Sequence, residues 1–161
     1  MSEETLQKID HNALKANQLT IITLNLIAFI FNSWVLSGIV ALVLLIGVLR
    51  KAPGFDFIYF GVLKPAGWVK PDILNDHPEP HRFAQLLGGL FTGAGTLSLA
   101  LGAPYLGWGL IWVVIILAGL NVFGGFCMGC AVYYWMSQFN VPGFSKSPPA
   151  GSQPGKRPNE Q

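Results

Sequence analysis

The chain has 161 residues, of which 52% are hydrophobic and only 11% are charged, with a formal net charge of +2. A soluble globular domain carries about a quarter charged residues, so this composition excludes an ordinary soluble fold. The weak, dispersed positive charge gives no basic face for nucleic acid, and two cysteines cannot build a disulfide scaffold.

The 18 Asp, Glu, Lys and Arg residues are confined to three stretches, leaving residues 16–49 and 83–145 without a formal charge. A helix needs about 20 residues to cross a hydrocarbon core of about 30 Å, so these blocks hold several spans. The amino-terminal residues MSEET are acidic and lack the basic region of a cleavable signal peptide, so the first span is expected to stay as an anchor.

In chain order, Asp10 suits the N-cap of a helix beginning at His11, because its carboxylate can accept free N–H groups of the first turn. As one helix the first uncharged block would be about 51 Å long, too long for a bilayer. Asn32-Ser33 before Trp34 marks a turn at the interface. The second block divides at Ala103-Pro104-Tyr105-Leu106-Gly107. The expected fold is an all-α integral membrane four-helix bundle, one domain over 1–143 with spans at about 14–32, 34–49, 83–102 and 108–130. The tail at 144–161, rich in Pro, Gly and Ser, is expected to be disordered. The amino-terminal arm, the loop 50–82 and the tail share one side and hold all 10 Lys and Arg, which places both termini in the cytoplasm.

Small residues mark packing faces. Ala84, Gly88, Thr92, Thr96 and Ala100 recur every four positions, with Gly89 and Gly93 as a GxxxG pair beside them. Gly125 and Gly129, on one stripe with Asn121, form a second pair. In the loop, Phe55, Phe57, Tyr59, Phe60 and Trp68 alternate with charges and suit a chain lying among lipid headgroups.

The chemical candidates are Cys127 and Cys130, a CxxC pair near the end of the fourth span. On an unbroken helix both thiols share a face with Leu120, Phe123, Gly124, Ala131 and Tyr134. At the cytoplasmic interface thiols are kept reduced, so a permanent structural bridge is not expected, leaving a reversible thiol pair, a metal ligand pair or simple packing. Gly124-Gly125 can interrupt the helix and start a new turn just before Cys127, where the helix dipole stabilises thiolate.

The second candidate is Asp76-His77-Pro78-Glu79-Pro80-His81-Arg82. Residues before proline are extended, which puts Pro80 at the first position of the third helix, Glu79 at its cap and His81 in its first turn. The third helix begins on the face of the membrane where the fourth ends, which can bring His77, Glu79 and His81 to the cysteines. His81 or His77 could then deprotonate a thiol for exchange, or Cys127, Cys130, His77 and His81 could close a tetrahedral zinc site. His11, at the start of the first helix, is read as a solvated residue that could join either site. Two rival readings are a small carrier or channel for a sulfur species or metal ion, and a structural or assembly partner without catalysis. Spans with Asn25, Gln85, Thr92, Thr96 and Asn121 but no charge argue against ion transport.

Asp10-His11-Asn12-Ala13-Leu14-Lys15, Leu63-Lys64-Pro65, Val69-Lys70-Pro71-Asp72, His77-Pro78-Glu79-Pro80-His81-Arg82-Phe83 and Gly125-Phe126-Cys127-Met128-Gly129-Cys130 together carry a resemblance. Over roughly 9–143 the chain resembles a family of small bacterial integral membrane proteins catalogued as a domain of unknown function. The resemblance implies four helices in a bacterial inner membrane and motifs that act together, and it associates such proteins with thioredoxin-like or sulfur-transfer partners.

Overall fold

The computed structural model describes residues 7–148 and 152–157. Strand β1 (Gln7–Asp10) leads directly into helix α1 (His11–Ile30). Asp10 caps α1 as expected, its Oδ1 accepting from the Asn12 amide at 3.1 Å. The same oxygen accepts from the Asp72 amide at 3.0 Å, and Oδ2 accepts from the Tyr59 hydroxyl at 2.7 Å. Asn32, in the left-handed region at φ 48°, makes the turn into α2 (Trp34–Arg50), which Ser33 caps at the Leu36 amide.

The loop after α2 is more structured than a headgroup-bound chain. A single turn, α3 (Asp56–Ile58), runs into a π-helical turn at Tyr59–Leu63. Phe55 and Tyr59 are buried while Phe57, Phe60 and Trp68 are exposed, so the aromatics divide between core and surface. Phe55 packs among Ile21, Val40, Leu44 and Val114, and its amide donates to Asn17 Oδ1 at 2.8 Å. Tyr59 packs on Ala13 and Ala16 of α1. Strand β2 (Ile73–Asp76) pairs antiparallel with β1, with Gln7 opposite Asp76 and Asp10 opposite Ile73.

Helix α4 spans Pro78–Ala100 and begins two residues before the expected start at Pro80. His77 is the extended cap and Glu79 lies in the first helical turn. Two prolines fit there because first-turn amides have no partner within the helix. Helix α5 (Pro104–Gly124) likewise starts at a proline, ahead of the expected residue 108. Helix α2 packs on α4, α4 on α5, α5 on α1, and α1 on α2.

Small residues set these approaches. A Cβ at Gly89 would meet the Leu45 side chain at 2.9 Å, so the expected small face of α4 receives α2. A Cβ at Gly95 would lie 2.8 Å from the Gly107 carbonyl oxygen, which marks a close α4–α5 crossing. The Gly125–Gly129 pair does not make a helix face. Gly125 ends α5 in the left-handed region at φ 62°, and Gly129 lies in α6 (Met128–Gln138), against Ala84 of α4.

Three helices, His11–Ile30, Pro78–Ala100 and Pro104–Gly124, are long and apolar enough to cross a membrane, and Trp34–Arg50 is a shorter apolar helix. Their outer surfaces expose Ile30, Ile39, Leu42, Leu90, Leu97 and Ile116 among other large apolar residues, which water would penalise and lipid would not. The expected disordered tail falls partly on 149–151 and 158–161, outside the described residues. In the described part, Phe144 packs on Phe83 and Tyr133, and the Gly155 carbonyl accepts from the Cys127 amide at 2.7 Å.

Asp10 thus joins the start of α1, the loop at Asp72 and the buried Tyr59. Burial, the hydrogen bond to Asp10 and the charges of Asp10 and Asp72 push the Tyr59 phenol up to about 12. Neutral Tyr59 therefore stabilises the fold fully below about pH 10, and this is lost as pH rises toward 12. Asp10→Ala is expected to lower stability by about 2 kcal/mol or more, from a lost cap and unsatisfied donors. It should also return one tyrosine titration toward its ordinary range, read by ultraviolet absorbance.

Candidate functional site

The site lies at the end of the bundle where α1 and α4 begin and α5 ends. Gly124-Gly125 breaks the helix as the sequence indicates. Gly125 takes a backbone conformation that a β-carbon would strain, and the chain turns through Phe126 before α6 begins. Cys127 is the N-cap of α6, and its Sγ accepts from the Cys130 amide at 3.3 Å. The break also separates residues that an unbroken helix would align. Ala131 and Tyr134 are buried beside the cysteines, whereas Leu120 and Phe123 face outward.

The two cysteines are joined in a disulfide, with their Cα atoms 5.2 Å apart. Cys127 is 8% and Cys130 4% exposed. His81, one turn into α4, places Nδ1 3.5 Å from Cys130 Sγ and Nε2 2.8 Å from Asp76 Oδ2. An ionised carboxylate only accepts, so Nε2 carries a proton, and in the neutral ring Nδ1 is then the nitrogen that presents a lone pair to the sulfur. Asp76 Oδ1 accepts from the His77 amide at 2.8 Å, and His11 Nε2 lies 3.3 Å from Oδ2, off the hydrogen-bond direction.

Burial alone would raise the Asp76 carboxyl. The His11 and His81 side chains and the His77 amide outweigh it and hold the group well below the usual carboxylate range. Asp76 therefore remains the fixed negative charge of the site.

Of the residues expected here, Cys127, Cys130 and His81 come together, their ligating atoms within 4.8 Å of one another. Among the described residues His77 and Glu79 belong to neither cluster of metal-capable side chains. His77 sits at the N-cap position of α4 without a side-chain capping bond, and Glu79 lies in the first turn. The second cluster is His11, Asp76 and His81. His11 is only 7% exposed, in contrast to the solvated residue expected, and its ring meets His81 edge-on at 5.6 Å. Asp76 and His11 join the site through the β1–β2 pairing, which sets Asp76 opposite Gln7 and Asp10 opposite Ile73.

A small polar cavity of about 40 Å³ opens beside the disulfide, lined by His11, Asp76, His81 and both cysteines. Gly155, Lys156 and Arg157 of the tail cover it. The Arg157 amide donates to the Gly125 carbonyl at 3.3 Å, and its guanidinium pairs with Asp72.

A family model described as a domain of unknown function, DUF4395, matches residues 9–138. The chain belongs to the DUF4395 family. The matched region contains β2, all six α-helices and every member of the Asp76, His11, His81, Cys127 and Cys130 cluster. No curated protein and no solved structure matches this DUF4395 chain.

The depressed Asp76 carboxyl contributes stability that is present above its unfolded value, near 4, and lost as pH falls through its lower folded value. Asp76→Asn should accordingly be less stable than the parent at pH 7. The gap should narrow as both are titrated below pH 4, as read by thermal melting in detergent.

Proposed function

We propose that this DUF4395 protein is a membrane thiol–disulfide exchange protein that works through Cys127 and Cys130. In this reading α2 is a fourth span, its 17 residues being at the lower limit for a crossing. All Lys and Arg then lie on the side of the site, which puts that side and both termini in the cytoplasm. The family resemblance points to a bacterial inner membrane and to a thioredoxin-like or sulfur-transfer partner.

The observation that carries the reading is the Asp76–His81–Cys130 chain of contacts beside a disulfide capping α6. A partner thiolate attacks the Sγ of Cys127, the more exposed of the two residues. The S–S bond between Cys127 and Cys130 breaks as a mixed disulfide with Cys127 forms, and Cys130 departs as thiolate and is protonated through His81. In reverse, His81 Nδ1 removes the Cys130 proton, and Cys130 Sγ attacks the mixed disulfide and releases the partner thiol. The Cys130 amide and the α6 dipole stabilise Cys127 as thiolate in the reduced state. Asp76 is a positioning residue that keeps Nδ1 of His81 aimed at the sulfur.

A second reading rests on the His81, Cys127 and Cys130 cluster, which after reduction offers three zinc donors.

The test is exchange of the reduced protein with glutathione disulfide. Cys130→Ser should trap a mixed disulfide at Cys127, and His81→Gln should slow exchange by about 10²-fold with altered pH dependence. Absence of trapping together with unaltered rates in His81→Gln would remove the redox reading. Stoichiometric zinc on the reduced protein, lost in His81→Gln, would favour the metal one.

A further inference from the structure

Two cavities meet at Cys127. One is the small space beside the disulfide, lined by His11, Asp76, His81 and both cysteines. The other, between α1, α4, α5 and the start of α6, has a volume of about 280 Å³. Its walls are mostly apolar, with Leu14, Ile21, Leu87, Phe91, Val113 and Leu117 prominent. Only Cys127 and His81 of the exchange residues line both spaces, with Leu14, Gln18 and Asn121 beside them. Gln18 Oε1 is buried and finds no hydrogen-bond partner among the described residues, an orphan acceptor in a mostly apolar wall.

We propose that this inner cavity binds the ring of a lipid-soluble quinone, which oxidises the reduced Cys127–Cys130 pair. The inference rests on the exchange reading and names its terminal oxidant. The volume is near the lower end for small-molecule sites, enough for a ring while an isoprenoid tail stays in lipid. An apolar ring gains by leaving water, and the Asn121 amide supplies a donor for a ring carbonyl. The orphan Gln18 oxygen has no use for a carbonyl, but it accepts from a hydroquinone hydroxyl and so favours the reduced product.

The chemistry balances. The S–H bond of Cys130 breaks and one S–S bond forms as the Cys127 thiolate and the Cys130 thiol give up two electrons and one proton, Cys127 having lost its own proton to solvent on ionising. The quinone takes up both electrons and two protons, one released by Cys130 and one from solvent, and leaves as hydroquinone. His81 receives the Cys130 proton at Nδ1. A partner dithiol re-reduces the disulfide from the smaller cavity, which both cysteines line.

The test uses the full chain in lipid nanodiscs, reduced, freed of reductant and mixed anaerobically with decylubiquinone. One hydroquinone should form for every two thiols lost, with saturable kinetics and no quinone adduct by intact mass. Gly88→Leu should slow this by about tenfold or more by filling the cavity. Because a Cβ at Gly88 meets nothing closer than 3.9 Å, the helices need not part. Should Gly88→Leu melt early, the dimethyl ether of the hydroquinone, which keeps the ring but accepts no electrons, should compete in the parent protein. Failure of the parent to react with quinone while it still exchanges with glutathione disulfide overturns the quinone site and leaves the exchange reading intact. A quinone rate unchanged by Gly88→Leu, or by the diether, overturns it as well. Failure of exchange with glutathione disulfide removes the reading beneath both.

Discussion

A carboxylate sealed from water has to be met by donors from several directions, and the end of this bundle is arranged around that demand at Asp76. The His77 amide holds one oxygen, and His81 and His11 approach the other. These groups begin α4 and α1, so satisfying one buried charge ties two helix starts to β2. The short β1–β2 pairing gives the same alignment through the backbone, with His11 N also donating to the Asp72 carbonyl at 2.8 Å. The orientation of the His81 ring toward Cys130 is a product of this arrangement. Without a fixed charge at Nε2, nothing would dictate which nitrogen faces the sulfur.

The cysteines depend on a second constraint, the cost of breaking a helix where water is scarce. Ending α5 at Gly124 frees carbonyl and amide groups that must be paired again. Part of that pairing stays local, with the Gly125 amide donating to the Asn121 carbonyl at 3.1 Å. Part comes from the tail, through Gly155 and Arg157. The segment that satisfies the broken backbone is thus the one that covers the polar cavity, and structural repair and access to the disulfide are joined.

Features encoded locally were legible in the sequence. The Asp10 cap, the Asn32-Ser33 turn and the Gly124-Gly125 break each follow from a few adjacent residues, and each appears in the structure. The meeting of His81 with Cys130 followed from the shared membrane face of two helix ends. His77 is extended as expected, whereas Glu79 was expected at the cap and lies in the first turn, because either proline in Pro78-Glu79-Pro80 can begin a helix. Asp76 and His11 escaped because they meet only through strands of four residues each, about 60 positions apart, with no hairpin signal between them. The aromatic loop was read as one surface, yet Asn17 and Asp10 draw Phe55 and Tyr59 inward by hydrogen bonds that no periodicity announces.

The family match ends at residue 138, at the last residue of α6, while the covering residues Gly155, Lys156 and Arg157 lie beyond it. The disulfide, His81, Asp76 and His11 thus lie within the span of the family model, and the tail residues that also line the pocket lie outside it. The tail is joined to the bundle here by few bonds among the described residues, the Gly155 carbonyl to the Cys127 amide, the Arg157 amide to the Gly125 carbonyl and the Arg157 guanidinium to Asp72. Shortening the chain before Gly155 would therefore bare the disulfide while leaving the helices that position it in contact with one another.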